Sequence, residues 1–166
     1  MFRYLTAIGT VLIASQAHAL SCLPPNPIRA TEVAVESTDR FVMAYGQLQA
    51  INGRPDRPNI DPNNQNPPAI SYEARFVGMS ASRRAFDTPI DARVTVTETC
   101  LAVWCGRAAL NTQMLVFLKQ QAGDYSIETG PCDMGGGFPN LGRADLREVL
   151  RCAFQSDCDA ERFELR

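Results

Sequence analysis

Six cysteines are the side chains of this sequence best equipped for chemistry: Cys22, Cys100, Cys105, Cys132, Cys152 and Cys158. Two of them lie in the stretch TETCLAVWCGRAAL, with four residues between Cys100 and Cys105 and the only tryptophan, Trp104, beside them. Such a pair can be a redox centre, half of a metal site or a covalent staple. A thioredoxin-type centre sets its thiols two residues apart at a helix N-terminus, where the dipole favours the thiolate. Here the preceding DARVTVTET alternates Ala92, Val94 and Val96 with Arg93, Thr95 and Thr97, a strand pattern with no helix start. Four-cysteine metal sites favour C-x-x-C pairs and reducing compartments. The staple is the reading that the spacing supports.

Other chemistry is thinly provided. The only histidine is His18, inside what reads as a leader, so no Ser-His-Asp or Cys-His arrangement and no HExxH zinc site can form in the rest of the chain. A serine nucleophile would need Lys119, the only lysine, as its base, and no Ser-x-x-Lys pattern precedes it. The carboxylates are scattered singly, and sequence alone selects no hydrolytic pair. No catalytic residue, metal ligand or cofactor is therefore expected. The glycine-rich CDMGGGFPN lacks the lysine and helix of a phosphate-binding loop and reads as a flexible connection.

The first residues, MFRYLTAIGTVLIASQAHA, place Arg3 before an apolar run and end in Ala17-His18-Ala19, a small-x-small cleavage pattern. This predicts a secretory signal peptide over 1–19 and a single domain over 20–166, exported to a bacterial periplasm or the extracellular space. Ala19-Leu20-Ser21-Cys22 departs from a lipobox, so lipidation is not expected. No other long apolar run predicts a transmembrane segment. The formal net charge of −2 gives no general attraction to nucleic acid.

An even cysteine count in an exported chain predicts a disulfide framework. Spacing suggests Cys100–Cys105 and Cys152–Cys158 as short bridges, leaving Cys22 for Cys132. CLPPNPIRATEVAVEST reads as a proline-stiffened lead followed by one helical turn. Strands are expected at DRFVMAYGQLQAI, SYEARFVGMS, DARVTVTETC, TQMLVFLKQ and YSIETG, the last two joined as a hairpin by AGD. Gly46, within the first strand, predicts a bulge or sharp coil. Residues 52–69 hold five prolines and five asparagines and read as a long exposed loop, dispensable for folding. Asp56, Asp61, Asn63 and Asn64 in it fit no EF-hand spacing. A final helix, GRADLREVLRCAF, carries Leu146, Val149, Leu150, Ala153 and Phe154 on one stripe. These elements predict a mainly β fold, a small five-stranded OB-like barrel with a C-terminal helix, stapled by disulfides. An immunoglobulin-like sandwich is the second choice, but it needs about seven strands.

SCLPPNP near the expected mature start, WCG after the third strand, MLVFLKQQAGDYSIETGPCD and the cysteine near the end of the last helix together resemble the netrin/TIMP-like (NTR) domain. The resemblance covers about residues 22 to 152, and the overall type is similar to small exported bacterial proteins. It implies an OB barrel with flanking helices, and it implies the same three pairings. Cys22 resembles the second cysteine of the family's N-terminal Cys-x-Cys and would bridge to Cys132. The first is missing, so Cys105 would take Cys100, and Cys152 would take Cys158. The family's metalloproteinase inhibitors chelate zinc through an N-terminal cysteine. The expected start at Leu20 departs from that arrangement.

The function expected is a non-enzymatic binding module for another exported or envelope protein. The alternatives are a metalloprotease-inhibitor-like protein, a thiol-disulfide exchanger at Cys100 and Cys105, or a carboxylate-based hydrolase. OB barrels bind ligands across the strand 2–3 face and nearby loops. That places the contact surface at Tyr72, Arg75, Phe76, Arg83, Arg84 and Trp104.

Overall fold

Alternating apolar residues form the long strands, and a computed structural model shows how they close. It describes residues 22–57, 67–133 and 135–164. The expected leader lies outside them. In chain order the elements are α1 (Pro27–Glu36), β1 (Arg40–Ala50), β2 (Ile70–Ala81), β3 (Phe86–Glu98), β4 (Cys100–Leu101), β5 (Trp104–Cys105), β6 (Met114–Gln121), β7 (Asp124–Thr129), β8 (Phe138–Pro139), α2 (Arg143–Gln155) and α3 (Ala160–Glu164).

Five strands make the barrel, in the order β1-β2-β3-β7-β6 and back to β1. All neighbours are antiparallel except β3 and β7, which run parallel from Val94 beside Tyr125 to Glu98 beside Thr129. This is the OB-like barrel expected. Closure depends on β1, which pairs with β2 through Ala44–Ala50 and with β6 through Arg40–Gly46. The strand must therefore coil sharply where both partners overlap.

Gly46 makes that coil possible. It sits opposite Gly78 of β2, and a Cβ built on it would lie 2.7 Å from Gly78 Cα and 2.7 Å from Phe76 Cζ. No bulge interrupts this register, so the coil rather than the bulge is what Gly46 provides. Gly46→Ala should destabilise by about 1–3 kcal/mol, because the crowding atoms include sheet backbone that cannot step aside. Gly53→Ala is the control, since nothing lies within 4 Å of its added Cβ. Thermal unfolding should show several degrees lost at position 46 and a smaller loss, from the φ of +78° alone, at position 53.

Period-two patterning splits the apolar residues between two cores. Ala44, Leu48, Ala74, Phe76, Val94, Val96, Met114, Val116 and Leu118 fill the barrel. The opposite faces of β1 and β6 present Met43, Tyr45, Leu115 and Phe117 to Ile28 of α1 and Val149 of α2. In α2, Leu146, Val149 and Leu150 turn inward as the stripe predicts, whereas Phe154 is exposed and Cys152 is buried in its place.

Three features differ from expectation. The PNP segment starts a full ten-residue helix, because Asn26 caps it by accepting from the Ile28 and Arg29 amides and Pro27 occupies the first turn. The glycine-rich segment is no mere connection: Gly135 and Gly137 are buried, and β8 pairs with Met114 and Leu115 of β6. Residues 52–57 are not a free loop either, since Arg54 and Arg57 bind Glu98 at the barrel end. The disulfides are the expected three, Cys22–Cys132, Cys100–Cys105 and Cys152–Cys158.

Candidate functional site

The end of β3 carries an unusual side chain for a barrel interior. Glu98 shares the inward parity of Val94 and Val96 and is only 1 % exposed. Burying a carboxylate is costly unless it is paired and hydrogen-bonded. Its Oε1 accepts from the Ala108 amide at 2.9 Å and from the Tyr72 hydroxyl at 3.0 Å, and pairs with Arg54 Nε at 2.9 Å. Its Oε2 accepts from Arg57 Nη2 at 3.0 Å. Both arginines come from the start of the proline- and asparagine-rich segment, which is thereby pinned to the barrel end.

The same guanidinium groups reach further. Arg54 Nη2 also donates to the Ala108 carbonyl, and its cation lies 5.9 Å from the Tyr72 ring centre. Arg57 Nη2 donates to the Gly106 carbonyl at 2.7 Å, and Nη1 lies 2.9 Å from Cys100 Sγ. Burial pushes the Tyr72 phenol above its ordinary pKa; the Arg54 contact opposes this and the Glu98 carboxylate adds to it. Tyr72 is thus held as the donor that Glu98 requires.

This cluster supports a small platform. Immediately after β3, Cys100 and Cys105 face each other across the two-stranded β4–β5 hairpin, and Leu101 faces Trp104. The next residue, Gly106, packs so closely that an added Cβ would lie 2.6 Å from the Gly130 carbonyl carbon. Above this clamped base the tip is apolar and open to solvent: Leu101 is 58 % exposed, Val103 51 % and Trp104 52 %. Ala102 holds the turn with φ +51°. A disulfide, an arginine and a glycine fix the base, and three large apolar side chains are presented at the tip.

No family model, curated protein or solved structure matches this chain.

The six residues expected to form one contact surface are not brought together. Tyr72 and Phe76 face the barrel interior, the first bonded to Glu98 and the second fully buried, so neither contributes to an outer face. Arg75 lies on the outside of β2, where its guanidinium binds Asp91 at 2.7 and 2.5 Å. That contact holds the Asp91 carboxyl below its usual pKa. Arg83 and Arg84 are exposed in the β2–β3 turn. Trp104 is at the other end of β3, about 40 Å of strand away at roughly 3.3 Å per residue.

Lys119, the one lysine, does face Ser126 across β6 and β7. Its ammonium is paired with Asp39 at 2.6 Å. A cleft of about 620 Å³ opens there, between Phe41, Phe117, Phe138, Glu128 and Cys132. Among the described residues no group of three or more potential metal ligands gathers. Of the four loop residues considered for calcium, Asp56 is exposed and Asp61, Asn63 and Asn64 lie outside the described residues.

Sequence reasoning missed Arg54, Arg57 and Glu98. A signal was present. Parity along RVTVTE already puts Glu98 on the valine face, and a charge on that face needs a counter-charge.

Proposed function

We propose that this is an exported, non-enzymatic binding module, built on a netrin/TIMP-like plan, that holds another envelope or extracellular protein through the Cys100–Cys105 hairpin. One observation carries the reading: Leu101, Val103 and Trp104 stand exposed together on a tip whose base is fixed. Tryptophan dominates the energetics of many interfaces, and a preorganised tip loses little conformational entropy on docking. The adjacent β1–β2 segment corresponds to one of the loops that OB barrels use for ligands. Three disulfides suit an oxidising compartment, and no helix among the described residues is long and apolar enough to cross a membrane.

Photo-crosslinking in the producing cell tests this. A benzophenone side chain at position 103 should give an adduct of discrete mass. The same probe at Val77, exposed on β2 away from the hairpin, should not. Trp104→Ala should lower the yield at position 103 at least tenfold while leaving circular dichroism unchanged. Equal labelling from both positions, or an adduct insensitive to Trp104→Ala, would refute the assignment.

A further inference from the structure

The contact between Arg57 and Cys100 helps fix the base of the hairpin, but its chemistry suits a second role. We infer that Cys100–Cys105 is an exchange-active disulfide, with Cys100 the sulfur that leaves as a thiolate and Cys105 the one that accepts an incoming thiol. This goes beyond the binding role and stands whether or not the hairpin docks on a protein.

Charge counting motivates it. Two partly exposed guanidinium groups, Arg54 and Arg57, share one buried carboxylate, Glu98, so the cluster keeps one positive charge unmatched by any ion pair among the described residues. Arg57 Nη1 is 2.9 Å from Cys100 Sγ, with its other nitrogen committed to Glu98 and Gly106. A thiolate at Cys100 would complete the balance in place. Arginine beside a cysteine favours the thiolate, and the thiol that is the better anion leaves faster in exchange.

The other two disulfides are differently situated. Cys152 is buried between α1 and α2, and Cys22–Cys132, although both its cysteines are exposed, ties positions 110 residues apart. Cys100–Cys105 closes a gap of only four residues, so opening it costs the fold little stability. Both its cysteines are partly exposed, and the apolar tip beside them offers a surface to a thiol-bearing polypeptide.

The step balances with two thiols and no other reactant. A thiolate RS⁻ attacks Cys105 Sγ, the Sγ–Sγ bond breaks, and its electron pair departs on Cys100 Sγ beside Arg57. A second thiolate attacks the R sulfur of the mixed disulfide, forming RSSR and releasing Cys105, which takes a proton. Two thiols are oxidised and the protein disulfide gains two electrons.

Glutathione is the probe. Purified oxidised protein is equilibrated in glutathione redox buffers, quenched by alkylation and mapped by peptide mass. Cys100–Cys105 should open before the other two bonds, and Arg57→Gln should shift its equilibrium at least tenfold toward the disulfide, about 30 mV. Should that variant fail to fold, the wild type alone decides. Under limiting glutathione the adduct should sit on Cys105 with Cys100 alkylated. An unshifted equilibrium in folded Arg57→Gln, or an adduct mainly on Cys100, would overturn the proposal.

Discussion

Glu98→Ala is expected to lower the unfolding free energy by about 3–5 kcal/mol, the range for removing one partner of a buried ion pair. The loss exceeds that of the carboxylate's own bonds. Arg54 and Arg57 would stay at the barrel end without their anion, and the Tyr72 hydroxyl and Ala108 amide would lose their acceptor. Glu98→Gln should cost less, since an amide oxygen can still accept from Tyr72 and Ala108. Urea unfolding of the two variants tests this. An alanine variant within 1 kcal/mol of wild type would show that the cluster is replaceable by water.

Joint replacement of Cys22 and Cys132 by serine should be comparably damaging, at about 4.7 kcal/mol in the chain-entropy model for a loop of this length. The bridge fastens the segment leading into α1 to the turn that precedes β8. Without it, the helix keeps its Asn26 cap and the Asn26 side-chain bond to the Ala160 carbonyl, but only noncovalent packing holds its N-terminal side. Replacing Cys152 and Cys158 together removes a ring of sequence separation 6 and should cost only about 2 kcal/mol. Equal midpoints for the two double variants would contradict this ranking.

Much of the barrel was legible because strand parity is a strong signal when one face is buried. Ala44 and Leu48, Val94 and Val96, and Met114, Val116 and Leu118 each repeat at intervals of two or four and all point inward. The β6–β7 turn was legible from AGD, whose Ala122 and Gly123 both take positive φ as a tight hairpin turn requires. Parity was not applied where it mattered for the site. Tyr72, Ala74 and Phe76 alternate with Glu73, Arg75 and Val77, so the two aromatics and Arg75 could never share a face. Composition misled in the β1–β2 segment, where prolines and asparagines drew attention from its two arginines. The ion-pair partner of Glu98 lies more than forty residues earlier in the chain, and only a closed barrel brings them together.

The bonding pattern is nested: the Cys100–Cys105 ring lies wholly inside the span between Cys22 and Cys132. Exported as proposed, N-terminus first into an oxidising compartment, the chain would expose Cys22 alone, and the next thiols to arrive would be Cys100 and Cys105, both wrong partners. Closing the four-residue gap is intrinsically much faster than closing the long one. Early closure of the hairpin therefore withdraws both decoys at once and leaves Cys22 waiting for Cys132. In this topology the smallest ring protects the fidelity of the largest, and a chain lacking Cys105 should leave Cys100 free to trap Cys22 before the barrel is complete.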